Sequence, residues 1–277
     1  MLPRPARLFR ALALVATLAT PVAAQDSAGV DALYDALRMD ELIAVMRDEG
    51  LAYGETIATD MLGGADAEWD AAVADIYDPE RLEAAVRAGL EQTLGTADLD
   101  PAIAFFTSEP GRTFVSLELA ARQALLDDAV EEAAKEAAAL AMADRTPRLQ
   151  ILDRFVAAND LIETNVTGSM NANFAFFGGL GAGGALPDGA TEDQLLSDLW
   201  AQEPGIRADT VEWIYTYLLL AYSPASDADL ETYIAFSETE AGRQVNHGLF
   251  TTFDQVFAAI SHALGLAAAR QMQTEQL

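Results

Sequence analysis

The sequence predicts an all-α protein made of two tandem, similar helical repeats packed into one bundle-like body. Three observations predict it. Apolar residues recur every three or four positions through most of the chain, the spacing of a 3.6-residue helix. Signals for strands are nearly missing. The fifteen residues Asp98–Arg112 also align without gaps to Asp229–Arg243, with eight identities at an offset of 131 residues, where unrelated segments share about one. An internal duplication of that period predicts two halves, 25–145 and 146–277, behind a leader at 1–24.

Each element follows from local pattern. In the first half, Leu82, Val86, Leu90 and Leu94 form one helical stripe. It falls opposite Thr210, Ile214, Leu218 and Tyr222 in the second half, and Glu41-Leu-Ile43 falls opposite Asp160-Leu-Ile162. Asp100-Pro101 and Ser108-Glu-Pro110 read as helix starts, because Asp or Ser caps free amides and Pro fits the first turn. Leu126, Val130, Ala133, Ala137 and Leu140 predict a long helix after them, and Phe257, Ile260, Leu264 and Ala268 its counterpart. Val211, Ile214, Tyr215, Leu218 and Tyr222 line another. About five helices per half are expected, with the two halves joined through their long C-terminal helices in a pseudo-twofold arrangement.

Charge and composition narrow the function classes. Against 44 Asp and Glu stand 16 Lys and Arg, giving a net charge of −28. A polyphosphate backbone is held by Lys and Arg that release counterions, so nucleic acid is excluded as a partner. Anionic membranes repel such a chain for the same reason. With no cysteine, disulfides, thiolate metal sites, a cysteine nucleophile and an acylated N-terminal cysteine are all absent.

Residues 1–24 carry Arg4, Arg7 and Arg10, then the apolar stretch Ala11–Thr20, then Val22-Ala23-Ala24. That order reads as a secretory signal cleaved after Ala24, and the apolar stretch is too short to span a bilayer. The expected location is the periplasm, with no transmembrane span after cleavage.

At the doubled Ile-Ala-Phe and Glu-x-Gly-Arg segments the chain resembles an exported bacterial family, domain of unknown function twenty fifty-nine, in two copies. Ile103, Phe105, Ser108, Gly111, Arg112 and Phe114 carry the resemblance in the first copy, and Ile234, Phe236, Gly242 and Arg243 in the second. Thr239 and Val245 stand where the first copy has serine and phenylalanine. The resemblance implies a helical, secreted protein, and no catalytic residue comes with it.

Candidate binding residues are therefore read from chemistry. Glu109 with Arg112 and Glu240 with Arg243 form repeated pairs in which an arginine fork suits a carboxylate, from a neighbouring helix or a ligand. Packing accounts for the adjacent glycines, which let another backbone approach. Thr164–Pro187 is uncharged and includes Phe174, Phe176 and Phe177. Phe174 and Phe177 are expected on an apolar loop over 174–186, covering a groove, tucked under the second half or touching a membrane.

No cofactor or metal site is expected. Gly179-x-Gly181-x-x-Gly184 matches a dinucleotide motif in letters only, since no strand precedes it. His247 and His262, fifteen residues apart on one predicted helix, are too far apart for one ion. Asp98-x-Asp100 and Asp227-x-Asp229-x-Glu231 lack the glycine and terminal glutamate of a calcium loop and read as caps. The favoured function is a non-enzymatic binding or assembly module of the cell envelope, its partner an envelope protein or apolar ligand. The alternatives are an enzyme with a serine or carboxylate site between the repeats, and a peripheral membrane protein.

Overall fold

The computed structural model describes residues 23–186 and 192–274, and every regular element among them is an α-helix. The helices are α1 (Ala23–Ala36), α2 (Met39–Met61), α3 (Ala67–Ile76), α4 (Pro79–Leu94), α5 (Asp100–Thr107), α6 (Gly111–Ala124) and α7 (Asp128–Asp144). They continue with α8 (Pro147–Ala158), α9 (Leu161–Ala182), α10 (Glu192–Tyr222), α11 (Asp227–Ser237) and α12 (Glu240–Thr274). The secretory signal read in residues 1–24 lies, apart from Ala23 and Ala24, outside the described residues.

Helix starts follow the capping chemistry in part. Asp66, Asp78 and Asp127 accept hydrogen bonds from first-turn amides of α3, α4 and α7, and Ser226 does so for α11. Asp98 accepts from the Asp100 amide at 3.3 Å, but α5 is capped at Leu99 without a side-chain hydrogen bond, so the capping expected of Asp98 and Asp100 is not made. Ser108 differs from expectation. Its hydroxyl donates back to the Ala104 carbonyl at 2.6 Å, closing α5 rather than opening α6. The Glu109–Pro110 peptide between these helices is cis.

Among the described residues the first half holds seven helices and the second five, so the expectation of about five each fails for the first. One extra helix comes from the break at Asp78-Pro79 between α3 and α4, where the second half has the single α10, and the other from Asp127. By capping Ala129 and Val130 it starts a new helix where the second half runs on without a break through α12. The stripe predicted across this break is also inverted: Leu126 and Leu140 are exposed, and Ala134 and Ala138 are the buried face of α7. The α10 stripe holds at Ile214, Tyr215, Leu218 and Tyr222, all buried. In α12, Ile260, Leu264 and Ala268 are buried while Phe257 is exposed.

Two hydrophobic cores result, and each borrows a helix. The larger joins α1–α5 to α12 through Val30, Leu33, Ile43, Val86, Leu90, Phe106, Val245, Ile260 and Leu264. The smaller joins α8, α10 and α11 to α6 through Leu152, Phe155, Ile214, Leu218, Tyr222, Leu230, Phe114 and Ala121. The long C-terminal helices thus do not join the halves by packing on each other. Instead α12 lies along α9 and crosses α4, while α6 and α7 pack on α10.

Close backbone approaches fix these crossings. A Cβ on Gly179 would sit 2.1 Å from the His262 carbonyl oxygen, and one on Gly265 would sit 2.1 Å from that of Phe176. Only glycine lets α9 and α12 meet at that distance. Dispersion contacts along a closely packed helix pair then replace the larger side chains that usually fill such a seam.

Candidate functional site

The doubled arginine motif sits at the starts of α6 and α12, where the glycines do similar work in both. A Cβ on Gly111 would come within 2.3 Å of the Phe105 carbonyl oxygen, and one on Gly242 within 2.2 Å of that of Phe236. Each glycine therefore lets a long helix turn sharply back over the short helix before it. Thr239, in place of serine, donates to the Phe236 carbonyl and accepts from the Gly242 amide at 3.0 Å.

The arginines themselves are occupied locally. Arg112 donates to Glu109 at 2.7 and 3.1 Å, and Thr113 donates to the same carboxylate, which lies below its ordinary pKa because of these bonds. Arg243 turns the other way and donates to the Glu238 carbonyl, while the Glu240 carboxylate accepts from Gln244 at 3.5 Å. All four side chains are exposed, and none of them lines either of the two depressions described below.

Phe174 and Phe177 belong to α9, a continuous helix through Ala182, and not to a loop over 174–186. The physical reason is the glycine seam: α12 supplies a partner along the whole uncharged segment, so its backbone is satisfied as a helix. Phe174 is 36% exposed, while Phe176 and Phe177 pack against the larger core. The three rings are therefore not exposed together. His247 and His262 share α12, and among the described residues no cluster of three or more His, Asp or Glu could hold a metal.

A polar network at the junction of α2, α6, α10 and α11 was not read from the sequence. Glu118 of α6 accepts a hydrogen bond from the Tyr222 hydroxyl at 2.6 Å, and Tyr233 also hydrogen-bonds to it. The Tyr217 hydroxyl donates to the Glu118 carbonyl at 3.2 Å. Burial pushes the Glu118 carboxyl up to about 7, although the tyrosine hydrogen bonds pull it down. Burial also raises all three tyrosines well above their ordinary range. One helical turn along α6, Arg122 grips Glu49 of α2 through two hydrogen bonds at 2.7 and 2.8 Å. No residue spacing links Glu49, Glu118 and Tyr222; three separate stretches of chain bring them together.

Two depressions flank α7. One is a shallow groove of about 460 Å³ between α7 and α10, lined by Asp127, Ala129, Val130, Ala133, Ala137 and Leu220. The other is a cleft of about 520 Å³ at the α7–α8 corner, lined by Met142, Arg145, Leu149, Gln150, Asp153 and Tyr215. The groove is nearly all apolar, whereas the cleft combines both charges with apolar walls. Among the described residues no helix is long and apolar enough to cross a membrane.

Nothing among curated proteins or solved structures matches the chain. Residues 80–139, from α4 through most of α7 and including the first arginine motif, match the family described as an uncharacterized protein conserved in bacteria (DUF2059); Asp229–Arg243 lies outside that match.

Proposed function

We propose that this protein is a docking module of the bacterial cell envelope that receives a basic, amphipathic helix in the groove between α7 and α10. The observation that carries this reading is the groove itself. Alanines at 129, 133 and 137 leave its floor low enough for another helix to approach, and Leu220 makes one wall. Leu126 and Leu140, on the same side of α7, are exposed and extend the apolar strip. Asp128, Glu132 and Glu136 stand on α7 as well, so a lysine-bearing polar face complements the rim.

Export fits this role. The leader features of residues 1–24 support delivery to the periplasm, with the mature chain starting at Gln25. We further propose that 25–145 and 146–277 arose by duplication. The matching close approaches at Gly111 and Gly242 support it, as do the left-handed residues Arg38 and Asp160 before α2 and α9. That backbone match sets Arg38, rather than Glu41, opposite Asp160.

The test uses an eighteen-residue helical peptide of leucine and lysine, titrated into the full-length protein by calorimetry. Binding that weakens about tenfold in A133F/A137F, and again as salt rises, supports the reading. Equal affinity for the wild-type and filled-groove proteins overturns it.

A further inference from the structure

The cleft at the α7–α8 corner holds a cation without a partner, which is rare among the described residues. Each of the other Lys and Arg residues among those described makes an ion pair, a hydrogen bond to a carbonyl or another contact. Arg145 makes none, and it lines the cleft. It also occupies the left-handed region, φ 49° and ψ 53°, at the end of α7, where glycine or asparagine is the usual residue. An arginine kept in that conformation, with its guanidinium unclaimed, points from local strain to recognition.

Opposite in charge, Asp153 lies two turns into α8 and accepts the Tyr215 hydroxyl at 2.6 Å through one oxygen, leaving its other oxygen without a hydrogen-bond partner among the described residues. Met142 and Leu149 supply apolar wall between them, and Gln150 an amide. We infer that this cleft binds a short apolar peptide with both termini free, its carboxylate on Arg145 and its ammonium on Asp153.

Polarity and span both favour that orientation. Arg145 stands just before α8 and Asp153 further along it, so a cation and an anion follow in that order along the cleft wall. Seven residues of helix from Thr146 to Asp153 rise about 10 Å, part of which the arginine side chain spans. The remainder suits a dipeptide, at about 3.5 Å per extended residue. At about 520 Å³ the cleft falls within the range of small-molecule sites. It is separate from the α7–α10 groove, and this inference does not depend on what that groove holds.

The probe is Leu-Leu, added to the full-length protein and followed by calorimetry and by amide chemical shifts. Saturable binding that perturbs residues 142–153 and 215, and weakens at least tenfold in R145Q and in D153N, is the expected result. N-acetyl-Leu-Leu and Leu-Leu amide should each bind at least tenfold more weakly than the free dipeptide. Thermal melts show whether the variants remain folded; Glu131→Gln, on α7 outside the cleft lining, should retain binding within about threefold. Absence of saturable binding, shifts located elsewhere, or equal affinity for the blocked peptides overturns the proposal.

Discussion

Phe105 of α5 and Phe236 of α11 stack face to face, with 4.0 Å between ring centroids and 2° between ring planes. They occupy the same place in the two fifteen-residue segments that align in the sequence, and Phe106 and Tyr233 pack edge-on or tilted around them. A double-mutant cycle of F105A and F236A should return a coupling energy of about 1 kcal/mol beyond the loss of burial. Urea unfolding of the four proteins checks it, and strictly additive losses would remove the stack as an energetic unit.

Gly111→Ala and Gly242→Ala should each cost about 1–3 kcal/mol, since the added methyl meets a backbone carbonyl that cannot move aside alone. Gly205→Ala provides the contrast. Its position in α10 has no neighbour within 4 Å, so helix propensity should make it stabilising by about 0.5–1 kcal/mol. Thermal denaturation of the three variants measures both signs.

Glu118 makes stability depend on pH in a direction opposite to that of an ordinary paired carboxylate. Its folded pKa, about 7, lies above the unfolded value near 4.5. The folded state therefore binds the proton more tightly. The contribution is fully present below about pH 4.5 and is lost as pH rises through about 7. Between pH 5 and 8 the wild type should lose on the order of 2 kcal/mol that E118Q does not lose. Parallel stability curves for the two proteins would refute the assignment.

Breaking the Arg122–Glu49 pair should cost about 2 kcal/mol, because removing one partner strands the other in a half-buried site. By comparison, E131Q at the surface pair with Lys135 should change stability by less than about 0.5 kcal/mol. Chemical denaturation of R122M and E131Q distinguishes the two environments.

The helical class and several helix faces were legible in periodicity, because Leu82, Val86, Leu90, Leu94, Ile214, Leu218 and Tyr222 all turn inward. What periodicity could not carry was the identity of the partner face. Leu140 has the spacing of a core residue yet is 60% exposed, since α7, which packs on α10, buries Ala134 and Ala138 rather than this leucine. The uncharged, glycine-rich stretch read as a loop is a helix for a related reason: its stabilising contact comes from α12, some 80 residues away. The pairing of Glu118 with Tyr222 is likewise a product of packing between distant segments. No motif marks Arg145; its signal is a guanidinium without a partner among the described residues, which packing alone decides.

Because α12 closes the core built on α1–α5, the first part of the chain to be synthesised stays unfinished until the last part arrives. Val86, Leu90 and Leu94 meet their covering helix only after some 150 further residues have been added. Contacts of such sequence separation form slowly, since a long loop must close before it is rewarded. A growing chain of this design keeps an oily surface open to chaperones and proteases throughout its elongation, and clipping the final helix would return it to that state.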